Sequence, residues 1–359
     1  MKKTLLALAV LGAFAGAASA QTAVTIYGSF DGGLREVSHV GAAAPAGNPK
    51  DSKWTVGSNG TYNSNRLGFK GVEDLGGGLN AHFVLESGFN TGTGALDTAT
   101  TTNKLFNRSA YVGLGGTFGS FDLGRQYSVN FKTIGAYDPF AYKYTAIIPL
   151  AAQGGLTRLD NDLQYTGTFG PVTARAEYAF GEQAGSTSDA ATAAVGASFA
   201  SGPFSAGAAY TKRKNNVAVA PAAASFQDQK DWTIGGAFKT AAFSVAVGYA
   251  DNKQDTGTAA AQTRTKDGWV GGSFNVTPAA ALSLAYYRTK LSSQAAAPAA
   301  AGTTTEGRKD LAIFGATYAL SKRTNFYADI DNAKFSGAVS AANGQHSQTG
   351  ISAGINHLF

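Results

Sequence analysis

Apolar and small residues alternate along many segments of the chain, and the segment 242–253 is one example. Its apolar and small side chains occupy two sets of alternate positions: Phe243, Val245, Val247 and Tyr249 against Ser244, Ala246, Gly248 and Ala250. Successive side chains of a β-strand point to opposite faces of a sheet, so this pattern predicts strands with one apolar face. A two-layered β-sandwich would show the same alternation, so alternation alone does not distinguish it from a barrel.

The connections between these segments make the distinction. The predicted strands are sixteen: 24–35, 61–71, 79–90, 105–115, 118–126, 157–167, 171–181, 189–200, 204–214, 228–239, 242–253, 263–275, 280–290, 308–320, 324–335 and 345–359. Short turns such as 73–78 and 321–323 join them at one edge, and long loops such as 36–60, 127–156 and 291–307 join them at the other. An even strand number with these two unlike edges is typical of an outer-membrane barrel. The predicted fold class is therefore all-β, a 16-stranded antiparallel transmembrane β-barrel.

The last strand places apolar side chains at alternate positions and ends on Phe359. Lipid cannot satisfy an exposed backbone N–H, so this strand is expected to pair with the first one and close the barrel. Phe359 would then lie in the aromatic girdle at the periplasmic rim. A terminal aromatic residue in this pattern also resembles the signal read by the outer-membrane insertion machinery.

The first twenty residues have the three parts of an export signal. Lys2 and Lys3 supply the positive charge, 5–14 is apolar, and 18–20 offers small residues for cleavage. The apolar part is about half the length of a membrane-spanning helix. The expected organisation is a signal peptide over 1–20 and one barrel domain over 21–359, and no later stretch is apolar enough for a spanning helix.

The composition agrees with an exported protein built from strands. The chain has 46 glycines, one methionine and a charged share of 14%, and it has no cysteine, so disulfides cannot contribute to its stability. Its formal net charge of +6 falls by two when Lys2 and Lys3 are removed. This small excess forms no concentrated basic stripe, so nucleic acid is not an expected partner.

The charged residues of the strands fall mostly on the face opposite the apolar one. A barrel of 16 to 18 strands encloses an aqueous channel, where such side chains are tolerated. The expected pore-lining residues are Lys70, Glu86, Asp122, Asp160 and Asp162. Three cations occupy the same alternate positions as the apolar residues, which face lipid. They lie near the long-loop edge, where a lipid-facing cation can contact lipid phosphates and destabilises the barrel little. These are Arg108, Lys212 and Arg288.

The loop 127–156 is unlike the other long loops because it is rich in aromatic and aliphatic residues. Such a loop is expected to fold into the barrel and narrow it rather than project into water. The predicted constriction residues of this loop are Lys132, Tyr137, Asp138, Phe140 and Lys143. The facing wall would contribute Arg66, Arg125 and Arg158, although alternation places Arg125 on the lipid side unless a bulge intervenes.

This arrangement would create an electric field across the channel with a positive balance, which favours anions. In the alternative interpretation, Arg158 pairs with Asp160 or Asp162 and Arg66 pairs with Glu86. The wall would then contain structural ion pairs around a wide lumen.

Three stretches resemble the trimeric general porins of Gram-negative bacteria, and most closely their betaproteobacterial branch. They are "NRLGFKGVEDLGGGLNAHFVLESGF" (65–89), "RSAYVGLGGTFGSFDLGRQ" (108–126) and "GINHLF" (354–359). The resemblance implies an outer-membrane homotrimer in contact with lipid and lipopolysaccharide, a third loop folded into each pore, and a basic cluster at Arg66, Arg125 and Arg158. The segment 137–140, "YDPF", stands where enterobacterial porins have "PEFGG", which weakens the acidic side of the field and favours anions.

Signals for catalysis are weak. The four histidines are scattered, no metal-binding motif or nucleophile elbow is present, and no cofactor or metal is expected. An outer-membrane hydrolase could use His82 with Ser87, but a histidine of the pore wall or rim is the preferred interpretation. A diffusion channel for small hydrophilic solutes and anions is the leading hypothesis, followed by a solute-specific channel and then by a non-conducting adhesin or structural barrel.

Overall fold

A computed structural model of the chain describes residues 23–40, 51–57, 61–97, 104–144, 157–214, 226–256, 262–294, 304–339 and 345–359. The expected signal peptide lies outside the described residues, and its cleavage stays a prediction. Within the described residues there are seventeen strands. Their bounds are β1 Ala23–Ser38, β2 Ser52–Val56, β3 Arg66–Gly76, β4 Leu79–Gly88, β5 Ser109–Gly116, β6 Gly119–Tyr127, β7 Arg158–Phe169, β8 Val172–Ala179, β9 Thr192–Ser201, β10 Phe204–Arg213, β11 Phe226–Lys239, β12 Phe243–Thr256, β13 Gln262–Asn275, β14 Ala280–Gln294, β15 Thr304–Ala319, β16 Thr324–Gly337 and β17 Ser347–Leu358.

Sixteen of these strands form a closed antiparallel barrel. From β3 to β17 each strand pairs with the next, and β1 pairs with both β3 and β17. The remaining strand, β2, is a five-residue segment that pairs with the long-loop half of β1. The predicted fold class is confirmed. The turns at the short edge need special backbone conformations, as in the run Gly76, Gly77 and Gly78, where all three φ angles are positive.

The two faces of the barrel follow the predicted alternation. Large apolar side chains point outward and are exposed, as Leu284 is at 61%. Polar side chains such as Gln164 and Asp231 point inward and are buried. This is the reverse of a soluble domain and suits a wall between lipid and an aqueous interior. Within the described residues, no helix has the length and apolar character needed to cross a bilayer.

The two ends of the barrel wall meet at Phe359. Its backbone N–H donates to the Gly28 oxygen at 3.3 Å, and its own carbonyl oxygen accepts from the Gly28 N–H at 3.1 Å. Its ring lies 5.7 Å from the Phe30 ring, centroid to centroid, on the outward face. The prediction that the last strand closes on the first is confirmed.

Candidate functional site

The described part of the third loop, residues 128–144, begins with the short helix α1 (Val129–Ile134). Ser128 caps this helix, since its side-chain oxygen accepts from the Phe131 N–H at 3.2 Å. The carboxylate of Glu177 on β8 accepts from the Val129 N–H at 2.9 Å. The backbone N–H groups of the first helical turn have no partner within the helix. The barrel wall supplies a partner for one of them and so holds the start of the loop.

The loop then follows the inward-facing side chains of several strands. The Asn130 amide donates to Asp231 at 3.0 Å on β11. The Tyr137 hydroxyl lies 2.8 Å from the Thr233 hydroxyl, and the Trp269 indole N–H donates to the Tyr137 carbonyl oxygen at 3.1 Å. Tyr137 is fully buried, with 0% exposure. Hydrogen bonds thus fix the loop to the inward-facing side chains of β11 and β13.

Glycines of the wall make room for the aromatic side chains of the loop. A Cβ atom on Gly235 would lie 2.2 Å from the Tyr137 ring, and one on Gly315 would lie 2.5 Å from the Tyr144 ring. Real Cβ atoms do not approach other atoms this closely, so a larger residue would displace the loop. Sequence analysis did not identify these positions. Glycines on the inward parity of otherwise well-formed strands are the signal that could have indicated them.

Asp138 acts as a brace inside the loop. One of its carboxylate oxygens accepts from the Phe140 and Tyr142 N–H groups at 3.1 and 2.8 Å, and the other accepts from the Tyr287 hydroxyl at 3.3 Å. Burial raises the pKa of this carboxyl group above its ordinary value. Asp138 is one of the predicted constriction residues, and both of its carboxylate oxygens accept hydrogen bonds from within the loop or from the wall.

Lys143 of the loop lies near Arg66 of the wall. The Lys143 ammonium lies 5.1 Å from the centroid of the Tyr62 ring and 3.4 Å from its hydroxyl oxygen. Burial, and then the nearby charges of Arg66 and Lys239, lower the pKa of Lys143. Arg66 donates to the Asn63 side-chain oxygen at 3.2 Å, and it forms no ion pair within the described part of the chain.

Lys132 has a different environment from Lys143. Its ammonium group donates to Gln126 at 3.3 Å and also to Gln164. Burial lowers the pKa of Lys132. Its charge acts on three buried carboxylates of the wall: Asp122, Asp162 and Glu177. Lys132 therefore places one positive charge beside an acidic part of the wall next to α1.

Lys70 and Glu86 both lie at inward-facing positions of their strands. Lys70 is exposed, with its ammonium 5.4 Å from the centroid of the Tyr27 ring. The Tyr27 hydroxyl donates to Glu86 at 3.0 Å, and the Arg108 guanidinium lies 2.6 Å from the other Glu86 oxygen. Arg108 is buried, so its predicted contact with lipid is wrong. It precedes the first residue of β5, and the alternation of that strand therefore does not determine where it points.

Arg158 lies beside the base of the loop rather than in a carboxylate pair. Its guanidinium carbon is 4.7 Å from the Tyr127 ring centroid, and it donates to the Tyr127 hydroxyl at 3.2 Å. Tyr127 in turn stacks on Phe131 of α1, with ring centroids 4.5 Å apart. This arrangement positions a cation over an aromatic face next to the loop.

Arg125 and Asp160 are placed differently from expectation. The register between β6 and β7 does shift between Gly124 and Gln126, but the extra residue belongs to β7. Arg125 keeps the outward parity opposite Ala110 and pairs with Asp160 at 2.5 Å. Asp160 also pairs with Lys104. These two predicted pore residues therefore form an ion-paired cluster apart from Arg66 and Lys143.

The histidine considered for hydrolysis has structural partners. His82 lies 2.8 Å from Asp122 and 3.1 Å from Asn80, both measured from its ring nitrogens. Ser87 pairs with Leu67 in the outward parity, so it does not face His82. No group of three or more potential metal ligands occurs among the described residues.

The family of the chain follows from comparison with known proteins. A family profile described as Gram-negative porin matches residues 7–338, and the chain belongs to that family. An outer membrane porin protein of Bordetella pertussis is 44% identical over 147 residues, which are 39% of this chain and 37% of that protein. Outer membrane porin protein 32 of Delftia acidovorans is 36% identical over 231 residues, 60% of this chain and 61% of that protein. The chain thus matches less than two thirds of the length of these relatives.

Solved structures share the fold. An anion-selective porin from Comamonas acidovorans superposes with a TM-score of 0.74 at 24% identity, covering 94% of this chain and 100% of that one. A loop-deletion mutant of an outer membrane protein of Vibrio cholerae has a TM-score of 0.69 at 16% identity, covering 94% and 99%. The chain is accordingly a member of the Gram-negative porin family, and its place is the outer membrane.

Proposed function

We propose that the protein is a water-filled channel for passive diffusion of small hydrophilic solutes, narrowed by its third loop. The support is the loop's series of contacts with inward-facing groups of the wall. Glu177, Thr233, Trp269 and Tyr287 hold it from four different strands. A segment fixed at several points around the inner wall reduces the cross-section available to solutes, so the loop sets the size limit of the channel.

The channel favours anions in this proposal. The observation that supports this preference is that several cationic side chains of the lumen are more exposed to water than the carboxylates of the wall. Lys70 is exposed and Arg66 and Lys143 are partly exposed, whereas Glu86, Asp122 and Asp162 are buried. An ion that enters the lumen meets cations before carboxylates, and unscreened cations raise the local anion concentration. The printed description of the Comamonas neighbour as anion-selective agrees with this preference.

The expected partners belong to this proposal as well. The chain assembles as a homotrimer, contacts lipid and lipopolysaccharide, and reaches the membrane through the outer-membrane insertion machinery. Trp54 and Val56 on β2 support a protein contact near the long-loop edge, since both are exposed on the outward face. The loop segment 91–104, expected to take part in trimer contacts, lies partly outside the described residues.

A solute-specific channel is the second candidate, and one cavity favours it. A space of about 340 Å³ beside the loop is lined by Lys143, Lys239, Tyr62, several hydroxyl groups and Asp138, whose carboxylate accepts hydrogen bonds from the loop and from Tyr287. Two ammonium groups with neighbouring hydroxyls suit a small hydroxylated anion. Such a solute would pass through the channel with saturable kinetics.

Planar-bilayer recording of the purified protein tests both candidates. We expect large ohmic current steps in groups of three, and a reversal potential in a salt gradient that is displaced toward the anion. A reversal potential displaced toward the cation would contradict the proposed selectivity, and an absence of current would support the adhesin hypothesis instead. Concentration-dependent block by a hydroxylated anion at unchanged ionic strength would favour the second candidate.

A further inference from the structure

The segment 61–65, which directly precedes β3, folds against the inner side of the barrel wall. We call this segment the inner strap. Its residues Thr61, Tyr62, Asn63 and Asn65 are each at most 8% exposed. A polar connecting segment ordinarily lies in water, where its backbone groups find partners. The burial of the inner strap therefore implies that groups of the wall satisfy its backbone and hold it in place.

A change of neighbour along β1 leaves room for the inner strap. Ser29 is the last residue of β1 that pairs with β3, and Leu34 is the first that pairs with β2. Between them, side chains replace the neighbouring strand. The Asn65 side-chain oxygen accepts from the Asp31 N–H at 2.5 Å, and the Thr91 hydroxyl donates to the Asp31 carbonyl oxygen at 2.9 Å. The backbone of Asp31 is thus satisfied without a strand on this side.

The Asp31 carboxylate holds the inner strap. One of its oxygens accepts from the Tyr62 and Asn63 N–H groups at 3.1 and 2.8 Å. The other accepts from the Thr61 N–H at 3.3 Å and from the Tyr327 hydroxyl at 2.7 Å. Asp31 is 0% exposed, and a buried carboxylate is stable only where donors replace its lost water. Three consecutive N–H groups of the strap are therefore fixed by one side chain.

The wall is shaped to bring Tyr327 to Asp31. Tyr327 belongs to β16, and β17 lies between that strand and β1. A Cβ atom on Gly33 or Gly354 would lie 2.2 or 2.4 Å from the Tyr327 hydroxyl oxygen. Only residues without a side chain leave this path across the wall open. The Tyr327 ring also stacks on the Tyr62 ring, with centroids 5.0 Å apart, so it supports the strap as well as its anchor.

The inner strap in turn holds the residues 140–144, which we call the tip of the third loop. The Tyr144 N–H donates to the Tyr62 carbonyl oxygen at 2.7 Å. The rings of the same two residues lie edge to face, with centroids 4.9 Å apart. A backbone hydrogen bond and an aromatic contact between the same two residues restrict both position and orientation. The strap thus fixes the loop at the far end of its described part.

We propose that Asp31 is a positioning residue for two cations of the pore. It fixes the inner strap, and the strap holds Lys143 over the Tyr62 ring and accepts a hydrogen bond from Arg66 through the Asn63 side chain. The inference rests on the proposed channel function and deepens it. The constriction becomes a structure of two loops, and its arrangement depends on one buried carboxylate that carries no solute contact itself.

The test is amide hydrogen exchange of the full chain in detergent micelles, measured by mass spectrometry. Asp31→Asn keeps the size of the side chain but leaves a single acceptor oxygen for the donors that surround it. We expect exchange over both 61–65 and 140–144 to become roughly tenfold faster, because the lost hydrogen bonds make local opening easier. Asp329→Asn is the control. It removes the same charge from an inward position of β16, where the carboxylate lies 3.8 Å from Arg35, and should exchange as wild type does.

Faster exchange of the inner strap alone, with the tip of the third loop unchanged, would overturn the inference, as would wild-type exchange of both segments. If Asp31→Asn does not fold, the wild-type protein provides a second measurement in increasing concentrations of urea. The strap and the tip should then lose their protection at the same urea concentration, because they open as one unit. Two separate transitions would also overturn the inference.

The reversal potential in a planar bilayer separates positioning from a simple change of charge. Removing a carboxylate from the wall should by itself raise the anion-to-cation permeability ratio, so Asp329→Asn should not lower it. In Asp31→Asn we expect the ratio to fall roughly twofold, because Arg66 and Lys143 lose their fixed positions. A ratio that rises in both variants would contradict the positioning role. Faster exchange with a wild-type ratio would support the strap and contradict the proposed selectivity instead.

Discussion

The charged residues that were expected to line the pore pair differently from the structural ion pairs that the sequence allowed. Glu86 pairs with Arg108, and Asp160 pairs with Arg125 and Lys104, so neither carboxylate is available to Arg66 or Arg158. Arg66 instead contacts an uncharged amide. A cation that keeps its full charge and faces water contributes to the potential of the lumen, whereas a paired one contributes little.

Arg66 should therefore affect selectivity more than other cations of the barrel. Reversing its charge in Arg66→Glu removes a cation beside Lys143 and adds an anion. We expect the ratio of anion to cation permeability to fall on the order of fivefold, which corresponds to about 1 kcal/mol for a unit charge pair at close range in water. The measurement is the reversal potential in a salt gradient.

Lys253→Glu is the matched control for this variant because it makes the same charge change on the outward face. We expect its permeability ratio to equal that of wild type. A wild-type ratio in Arg66→Glu would remove this residue from the proposed constriction.

At the scale of elements, the strands were predictable and the ends of the strands were not. Period-two alternation gave the sixteen wall strands, but several of them extend beyond the predicted limits, as β15 does by starting at Thr304. The extra residues lie beyond the lipid belt, where side chains are polar on both faces and alternation of hydrophobicity disappears while backbone pairing continues. The sequence also could not show that the bulge opposite Arg125 belongs to β7, because a bulge moves side chains without changing composition.

The third loop illustrates the same limit. Its aromatic content predicted packing against a wall, and Tyr137 and Phe140 are buried. Its anchors could not be predicted, because Trp269 and Tyr287 are distant in sequence and are brought to the loop only by closure of the barrel. Which strands face a loop across a barrel depends on strand tilt and register, and neither leaves a local signal in the sequence.

The fit between loop and wall gives a prediction at this scale. In Gly235→Val, the new side chain would occupy the position of the Tyr137 ring and displace the loop from β11. We expect faster amide hydrogen exchange over 135–144 and a changed single-channel conductance. Gly32→Ala is the control, since no atom lies within 4 Å of a Cβ placed there, and it should exchange at the wild-type rate. Unchanged exchange in the Gly235 variant would mean that the loop does not depend on this contact.

At the scale of the whole molecule, stability depends on closure. The chain has no cysteine, and the packed aromatic residues of the interior belong largely to the loop and the strands it touches. In lipid, every backbone group of the wall must be paired with a neighbouring strand, so one open seam would expose a full edge of unpaired groups. The seam between β1 and β17 is the one formed by residues farthest apart in sequence, and it is expected to form last.

Phe359 forms the last backbone pairing of the seam between β1 and β17. Deleting it removes two backbone hydrogen bonds with Gly28 and the ring contact with Phe30. We expect the free energy of unfolding in liposomes to fall on the order of 2 kcal/mol, because buried backbone groups lose their partners. The measurement is a urea titration in which the heat-dependent shift in gel mobility reports the folded fraction, and it gives the decrease in the free energy of unfolding.

The control for this deletion is Phe169→Ala, which removes an exposed outward aromatic ring at the same edge without touching the seam. It should lose less stability than the deletion. Equal losses would mean that Phe359 acts only as one more aromatic residue of the girdle. Spontaneous folding into liposomes takes place without the insertion machinery, so it measures the effect of Phe359 on barrel closure separately from its effect on insertion in cells. A deletion that folds normally there, yet fails to reach the outer membrane in cells, would assign Phe359 to recognition by the insertion machinery rather than to closure.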